Sequence, residues 1–309
     1  MLLMCALPWA AQRHAQAADA GAWMQSFVDS QFRFRRSDSN APYLQLAWVD
    51  ATHYGDTTLH RQDGSSAGSY EQQAFSQGLL VPKLVSPRDM LVLGDWISYS
   101  RLHIDAGARD VDVLSIGLPV GWIGQRGDRW QFAAFAAPLA HRATDRSEPW
   151  FWEGMGGAFA LYWQERWMWI FGAYADVTKD EEFYIPYVGG SLQINRQWTL
   201  SMVLPWPALI YSPSTEWMLL AGITPAGSTW AVKGSQQDIA IDQDAWNLGL
   251  AAEKRVWRNF WLRVEGGASG FRGFGFVGRD WQGPNSRGGT SPYVSLRFGF
   301  RPPAVSAAR

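Results

Sequence analysis

The sequence predicts an all-β protein, a transmembrane up-and-down antiparallel β-barrel of about 14 strands, or 12 if Pro205-Trp206-Pro207 is only a kink and the first strand is not in the wall. Three observations carry this. From residue 42 onward the chain alternates strand and turn, with no helical period sustained over a whole segment. Its 19 Trp, 10 Tyr and 16 Phe accompany a mean hydropathy of only −0.19, so apolar and polar residues must be interleaved. An export leader opens the chain, yet no later stretch suits a membrane-crossing helix.

The leader is the uncharged run Met1–Ala11, the apolar core of a signal peptide, followed by the cleavage site Ala15-Gln16-Ala17 and an alternative at Ala20. No cation precedes the run, which points to a start codon upstream and a leader truncated at its start. Cys5 lies inside the leader, so the mature chain is expected to lack cysteine. Residues 1–17 are thus the signal peptide, 18–40 a periplasmic N-terminal segment, 41–301 the barrel and 302–309 a periplasmic tail. The longest uncharged stretch, Gln197–Thr215, holds Pro205, Pro207 and Pro213, which no helix tolerates. Lys plus Arg number 27 against 28 Asp plus Glu, which leaves no basic excess for nucleic acid.

The predicted strands follow in order: Ala41–Thr52, Ser69–Val81 after a loop over Gly55–Gly68, Met90–Asp105, Asp110–Gly124, Arg129–Ala140, Phe151–Gln164 and Trp167–Val177. Then come Phe183–Ile194, Trp198–Leu204, Ala208–Tyr211, Glu216–Lys233, Ile239–Val256, Phe260–Phe271 and Pro292–Phe300. Turns at Ser86, Gln125, Glu165, Asn195, Ser212 and Trp257 are short, and most connections between them are longer or glycine-rich. That is the pattern of periplasmic turns and external loops. Pro205-Trp206-Pro207 has to serve as an unusually tight external loop.

Alternation assigns the faces. Val294, Leu296, Phe298 and Phe300 oppose Ser295, Arg297 and Gly299, and Leu262 and Val264 oppose Arg263 and Glu265. In the third strand Val92, Trp96, Leu102 and Ile104 are read toward lipid, with Asp95, Tyr99, Arg101, His103 and Asp105 toward the lumen. Trp130, Trp152, Trp167, Trp198, Trp217, Trp246 and Trp261 fall near strand ends and are expected to form an interfacial girdle.

The stretch Phe183–Gly222 contains Phe-Tyr-Ile-Pro-Tyr-Val-Gly-Gly, Asn-Arg-Gln-Trp-Thr-Leu, Leu-Pro-Trp-Pro and Tyr-Ser-Pro-Ser-Thr-Glu-Trp. These turns and prolines resemble an uncharacterised family of Gram-negative outer-membrane β-barrel proteins, classed as a domain of unknown function. The similarity runs loosely over most of the mature chain. It implies a barrel in the outer membrane, delivered by the insertion machinery, and supplies no catalytic or binding residues.

No convincing catalytic constellation is present, and the chain is expected not to be an enzyme. None of the five histidines has Ser two positions later, the spacing that would put a base beside a nucleophile on one strand face. His103 with Asp105 is the best local pair for general-base hydrolysis of lipid or peptide. Asp105, Asp110 and Asp112 match no calcium loop, the glycines after Gly266 match no phosphate loop, and no metal or cofactor is predicted. Arg263, Glu265 and Arg297 share the inferred lumen, either lining a passage or bracing the wall. The expected function is porin-like passage of small hydrophilic solutes, with a hydrolase near His103 or a non-conducting adhesive barrel as alternatives.

Overall fold

The computed structural model describes residues 26, 30–33, 38–60, 65–104, 110–144, 148–178, 182–233, 238–277 and 289–302. The cleavage site, Asp105 and most of the 302–309 tail lie outside the described residues. Chain order gives β1 (Ala47–His60), β2 (Ser66–Ser86), β3 (Asp89–Ile104), β4 (Val111–Gly117), β5 (Val120–Arg126), β6 (Trp130–Ala143), β7 (Phe151–Gln164) and β8 (Trp167–Thr178). They continue as β9 (Glu182–Gln193), β10 (Trp198–Leu204), β11 (Ala208–Ser214), β12 (Trp217–Lys233), β13 (Asp238–Trp257), β14 (Phe260–Val277) and β15 (Thr290–Phe300).

Neighbours pair antiparallel, and β1 meets β15 with Ala47 opposite Phe300 and Tyr54 opposite Tyr293, so the sheet closes. Segments β4 and β5 both lie between β3 and β6. The ladder runs on between them, with Gly94 N donating to Pro119 O at 2.9 Å and Leu118 N to Pro138 O at 3.1 Å. Pro119 has no N–H of its own, which interrupts the strand without ending it. Counted as one, they make a closed barrel of 14 wall strands. The start of β1, the end of β15 and the short turns share one end, called here the base.

The expected loop over Gly55–Gly68 is mostly strand: β1 extends to His60 across a bulge between Tyr54 and Thr57, and β2 begins at Ser66. The bulge turns Thr57 inward, where it is buried, and lets the β-branched pair Thr57-Thr58 continue the ladder.

Exposed Val294, Leu296, Phe298, Leu262, Val264, Leu248 and Leu250 form an outward apolar belt over β13–β15. On the inner face of the same strands lie buried Asn247, Glu253, Ser269 and Ser295. In β3 the expected faces are reversed. Leu91, Leu93 and Ile97 are exposed, so Asp95, Tyr99, Arg101 and His103 share the outward face, while buried Met90, Ser100 and Leu102 point in. Both faces of this strand carry hydrophobes, so period two alone cannot say which meets lipid. Trp130, Trp167, Trp198 and Trp217 sit outward at strand starts near the base, and Trp152 and Trp246 outward toward the far end. Trp261 departs from the expected girdle: it points inward, only 4% exposed, beneath the Arg301 guanidinium at 5.6 Å.

Leu250 is 70% exposed at the middle of this belt. Leu250→Arg is expected to destabilise the bilayer-embedded barrel by about 2–4 kcal/mol in reversible urea titrations. An unchanged midpoint would mean that this face meets water.

Candidate functional site

The lumen concentrates the polar side chains. On its β13–β15 side Glu253, only 2% exposed, accepts from Arg263 Nη1 at 2.9 Å and from Arg301 Nη2 at 2.5 Å. Arg263 also donates through Nε to Glu265 Oε2 at 2.9 Å and makes a second, close contact with it through Nη2. Tyr293 donates its hydroxyl to Glu265 Oε1 at 2.6 Å, and its ring stacks on Tyr54 at 5.8 Å. Beside this chain Arg297 Nη2 lies 3.7 Å from Asp50 Oδ2, and Ser76 donates to the same carboxylate. Two guanidinium groups meet two carboxylates in the main network, so it carries no net charge. Arg263, Glu265 and Arg297 therefore face one lumen, as members of an ion-paired seam that ties β13, β14 and β15 together.

Glu253 and Arg301 escaped the sequence reading, although Asn247, Gly249, Ala251 and Glu253 share one alternation phase that identifies Glu253 as inward.

A second cluster lies across the barrel on β4, β6, β7 and β8. His141 Nδ1 is 2.8 Å from Ser115 Oγ, and its Nε2 is 3.3 Å from Glu153 Oε2, close enough for an ion pair but poorly aligned for a hydrogen bond. Tyr174 donates to Asp176 at 3.1 Å nearby. Strand register assembles this group: Ser115 stands opposite His141, and neither lies near the other in sequence. Serine, imidazole and carboxylate in line resemble a hydrolytic relay. Ser115 is only 5% exposed, however, so its hydroxyl is buried beside the imidazole.

His103, the sequence candidate for catalysis, lies on the outer face with Nδ1 2.5 Å from Asp110 Oδ1, both groups more than half exposed. Arg101 holds Asp112 through Nε at 2.9 Å. Thus two of the three aspartates read near this turn are engaged by cationic or imidazole groups, and no group suited to a metal ion occurs among the described residues.

Aromatic side chains line the wall between the two polar regions. Phe135 stacks on Phe159 at 6.3 Å, Phe159 meets Tyr187 edge-on at 5.4 Å, and Trp206 Nε1 donates to the Tyr187 hydroxyl at 2.8 Å.

Two described parts of the N-terminal segment, residues 30–33 and 38–46, meet the base of the lumen. Phe32 is buried with Leu46 and Met90 against Leu80, Leu84, Val92 and Ile123. Arg33 N donates to Gln125 Oε1 on β5 at 3.3 Å. Asn40 reaches the turn before β10 and the end of β11, its N donating to Arg196 O at 2.8 Å and its Nδ2 to Ser212 O at 3.0 Å. Leu46 then donates to Phe300 O at 2.9 Å as the chain enters β1.

No family model matches the chain. No curated protein matches its sequence either. Solved structures similar to it include an outer-membrane channel from Pseudomonas putida F1, at TM-score 0.49 and 10% identity over 86% of this chain and 98% of that one. A Pseudomonas aeruginosa FadL homologue aligns at TM-score 0.46 and 10% identity, covering 89% of this chain and 96% of its own. The translocator domain of the autotransporter NalP from Neisseria meningitidis aligns at TM-score 0.35 and 12% identity, covering 94% and 100%. The likeness is one of architecture.

Removing one partner of a buried ion pair leaves the other charge unmatched in a poorly solvating place. Glu253→Ala is therefore expected to cost about 3–5 kcal/mol of unfolding free energy. Arg263→Gln, which leaves Glu253 paired with Arg301 and Glu265 still accepting from Tyr293, should cost less. Equal losses in the two variants would show that the seam is solvated and braces nothing.

Proposed function

We propose that the chain is a small-solute channel of the Gram-negative outer membrane, held nearly closed at its periplasmic end by its own N-terminal segment, and without enzymatic activity. The observation that carries this reading is the segment itself. It fastens Phe32 inside the base of the barrel and Asn40 at the base end of the β10–β11 hairpin, so it bridges the mouth. A barrel of 14 strands encloses more space than its inward side chains fill, so a strap is needed to restrict it. The outward apolar belt and the tryptophans at the strand ends suit a bilayer, and the base, with the start of β1 and the end of β15, suits the periplasmic side.

Free diffusion of hydrophilic solutes through an open pore, the expectation from sequence, is the weaker version of this reading. Porins keep a wet aqueous channel; here Phe32, Leu46 and Met90 pack an apolar floor into the base, and the charged groups above it neutralise one another. Hydrolysis is the weaker reading at both histidines: His103 lies exposed on the outer face against Asp110, and Ser115 beside His141 is buried.

Planar-bilayer recording tests the proposal. The intact mature chain is expected to give rare, small steps, and deletion of residues 18–40 is expected to give large, long-lived ones. A correctly folded deletion variant that stays silent would overturn the channel reading.

A further inference from the structure

One stretch of wall is missing two strands. Segments β10 and β11 have seven residues each, whereas the flanking β9 and β12 have 12 and 17. Pairing of β10 with β9 ends at Leu204 opposite Val188, and pairing of β11 with β12 ends at Ala208 opposite Gly222. Beyond those points Glu182–Tyr187 of β9 pairs with β8 alone, and β12 from Thr224 onward pairs with β13 alone, among the described residues. Across the hairpin β9 and β12 stand three strand spacings apart, about 14 Å. Strand β12 also comes within contact of β6, six places away in the sheet, so these two strands approach each other across the lumen.

The height of the hairpin sets the depth of the break. Seven residues of strand tilted by about 40° rise about 18 Å, and the apolar band of such barrels is about 25 Å tall. Starting from Trp198 at the base, the hairpin therefore ends inside the band, on its outer side. Outward side chains agree: Leu204 at the tip is exposed, and exposed Tyr184 and Leu248 lie on β9 and β13 beyond it. Outward Trp246, opposite Pro225, marks the far interface a few residues above the tip. Strand edges are tolerated at this depth only where they border a cavity or protein. The aromatic file Phe135, Phe159, Tyr187 and Trp206 runs along the lumen wall to this same place.

We propose that the break between β9 and β12 is a side exit from the lumen into the outer leaflet, taken by small aromatic or aliphatic solutes that travel along the aromatic file. This rests on the channel reading and names its solute class and route. A ring sliding over Phe159 and Tyr187 keeps apolar contact throughout and leaves directly into hydrocarbon, without crossing the polar far mouth. A hydrophilic solute gains nothing from that route.

The decisive measurement asks whether acyl chains reach inward positions beside the break. Single cysteines replace Ile185 on β9 and Thr224 on β12, in the otherwise full chain with Cys5→Ser, and carry a bimane label. Each is reconstituted in phosphatidylcholine vesicles with and without brominated acyl chains. Leu248→Cys, outward on β13, reports full lipid contact, and Ser98→Cys, inward on β3, reports a shielded lumen. Quenching at 185 and 224 is expected to approach that at 248 and to exceed that at 98 several-fold. Quenching at both positions no greater than at 98 would overturn the side exit, and two sites guard against one variant failing to fold. In the same vesicles, the intact protein should accelerate uptake of the apolar probe N-phenyl-1-naphthylamine over empty vesicles, and Tyr187→Ala should weaken that gain. Conductance after deletion of 18–40 with no quenching at 185 and 224 removes the side exit and leaves the channel. Quenching without conductance keeps the opening and removes the channel.

Discussion

The fold depends on one constraint, that a backbone amide facing hydrocarbon must find a partner within the protein. An open sheet of these strands would present two unpaired edges to lipid. Closure removes them at β1 and β15, where eight consecutive residue pairs from Ala47–Phe300 to Tyr54–Tyr293 join the first wall strand to the last. The same constraint explains why Pro119 is harmless. Its missing donor falls where β3 and β6 supply hydrogen bonds on both sides, so the fourth crossing continues through it.

Closure alone would leave a wide lumen, and the chain fills it in two different ways. On one side ionic groups compensate each other: Glu253 is shared by Arg263 and Arg301, and Glu265 by Arg263 and Tyr293. Such a seam fixes the relative height of β13, β14 and the end of β15 without offering a net charge to a passing ion. At the base the filling is apolar, through Phe32, Leu46 and Met90. On the channel reading proposed above, such a filling would discriminate against ions and favour solutes that tolerate an apolar contact.

Strand positions were legible because period two is local. Phe151–Gln164 and Trp198–Leu204 are read with the bounds they have in the structure, each delimited by turn residues. The sense of a face was legible only where one side is plainly polar, as in β15. In β3 Leu91, Leu93 and Ile97 compete with Val92, Trp96 and Leu102, and only the packing of Met90 and Leu102 inside decides between them. Trp261 was misplaced for a related reason: a strand-end tryptophan belongs to a girdle only if its phase is outward, and its phase matches inward Arg263 and Glu265. The Ser115–His141–Glu153 group and the hold of Asn40 on Ser212 join residues distant in sequence, and no local signal announces either.

The short β10–β11 hairpin is specified by chemistry rather than by lack of chain. Pro205 and Pro207 flank its tip, and neither can donate to a ladder, so neither strand can be extended through these positions toward β9 or β12 with its bonds intact. Trp206 between them is held by Tyr187 through its indole N–H, and Ile223 N donates to Pro207 O at 3.1 Å, which ties the tip to both flanking strands. A tip anchored on both sides resists fraying, and its two prolines stop the sheet below the height that its neighbours reach. The proline-tryptophan-proline tip that looks in sequence like a compressed external loop therefore acts as a terminator placed inside the wall, and it sets where the lumen is bordered by strand edges instead of by a continuous ladder.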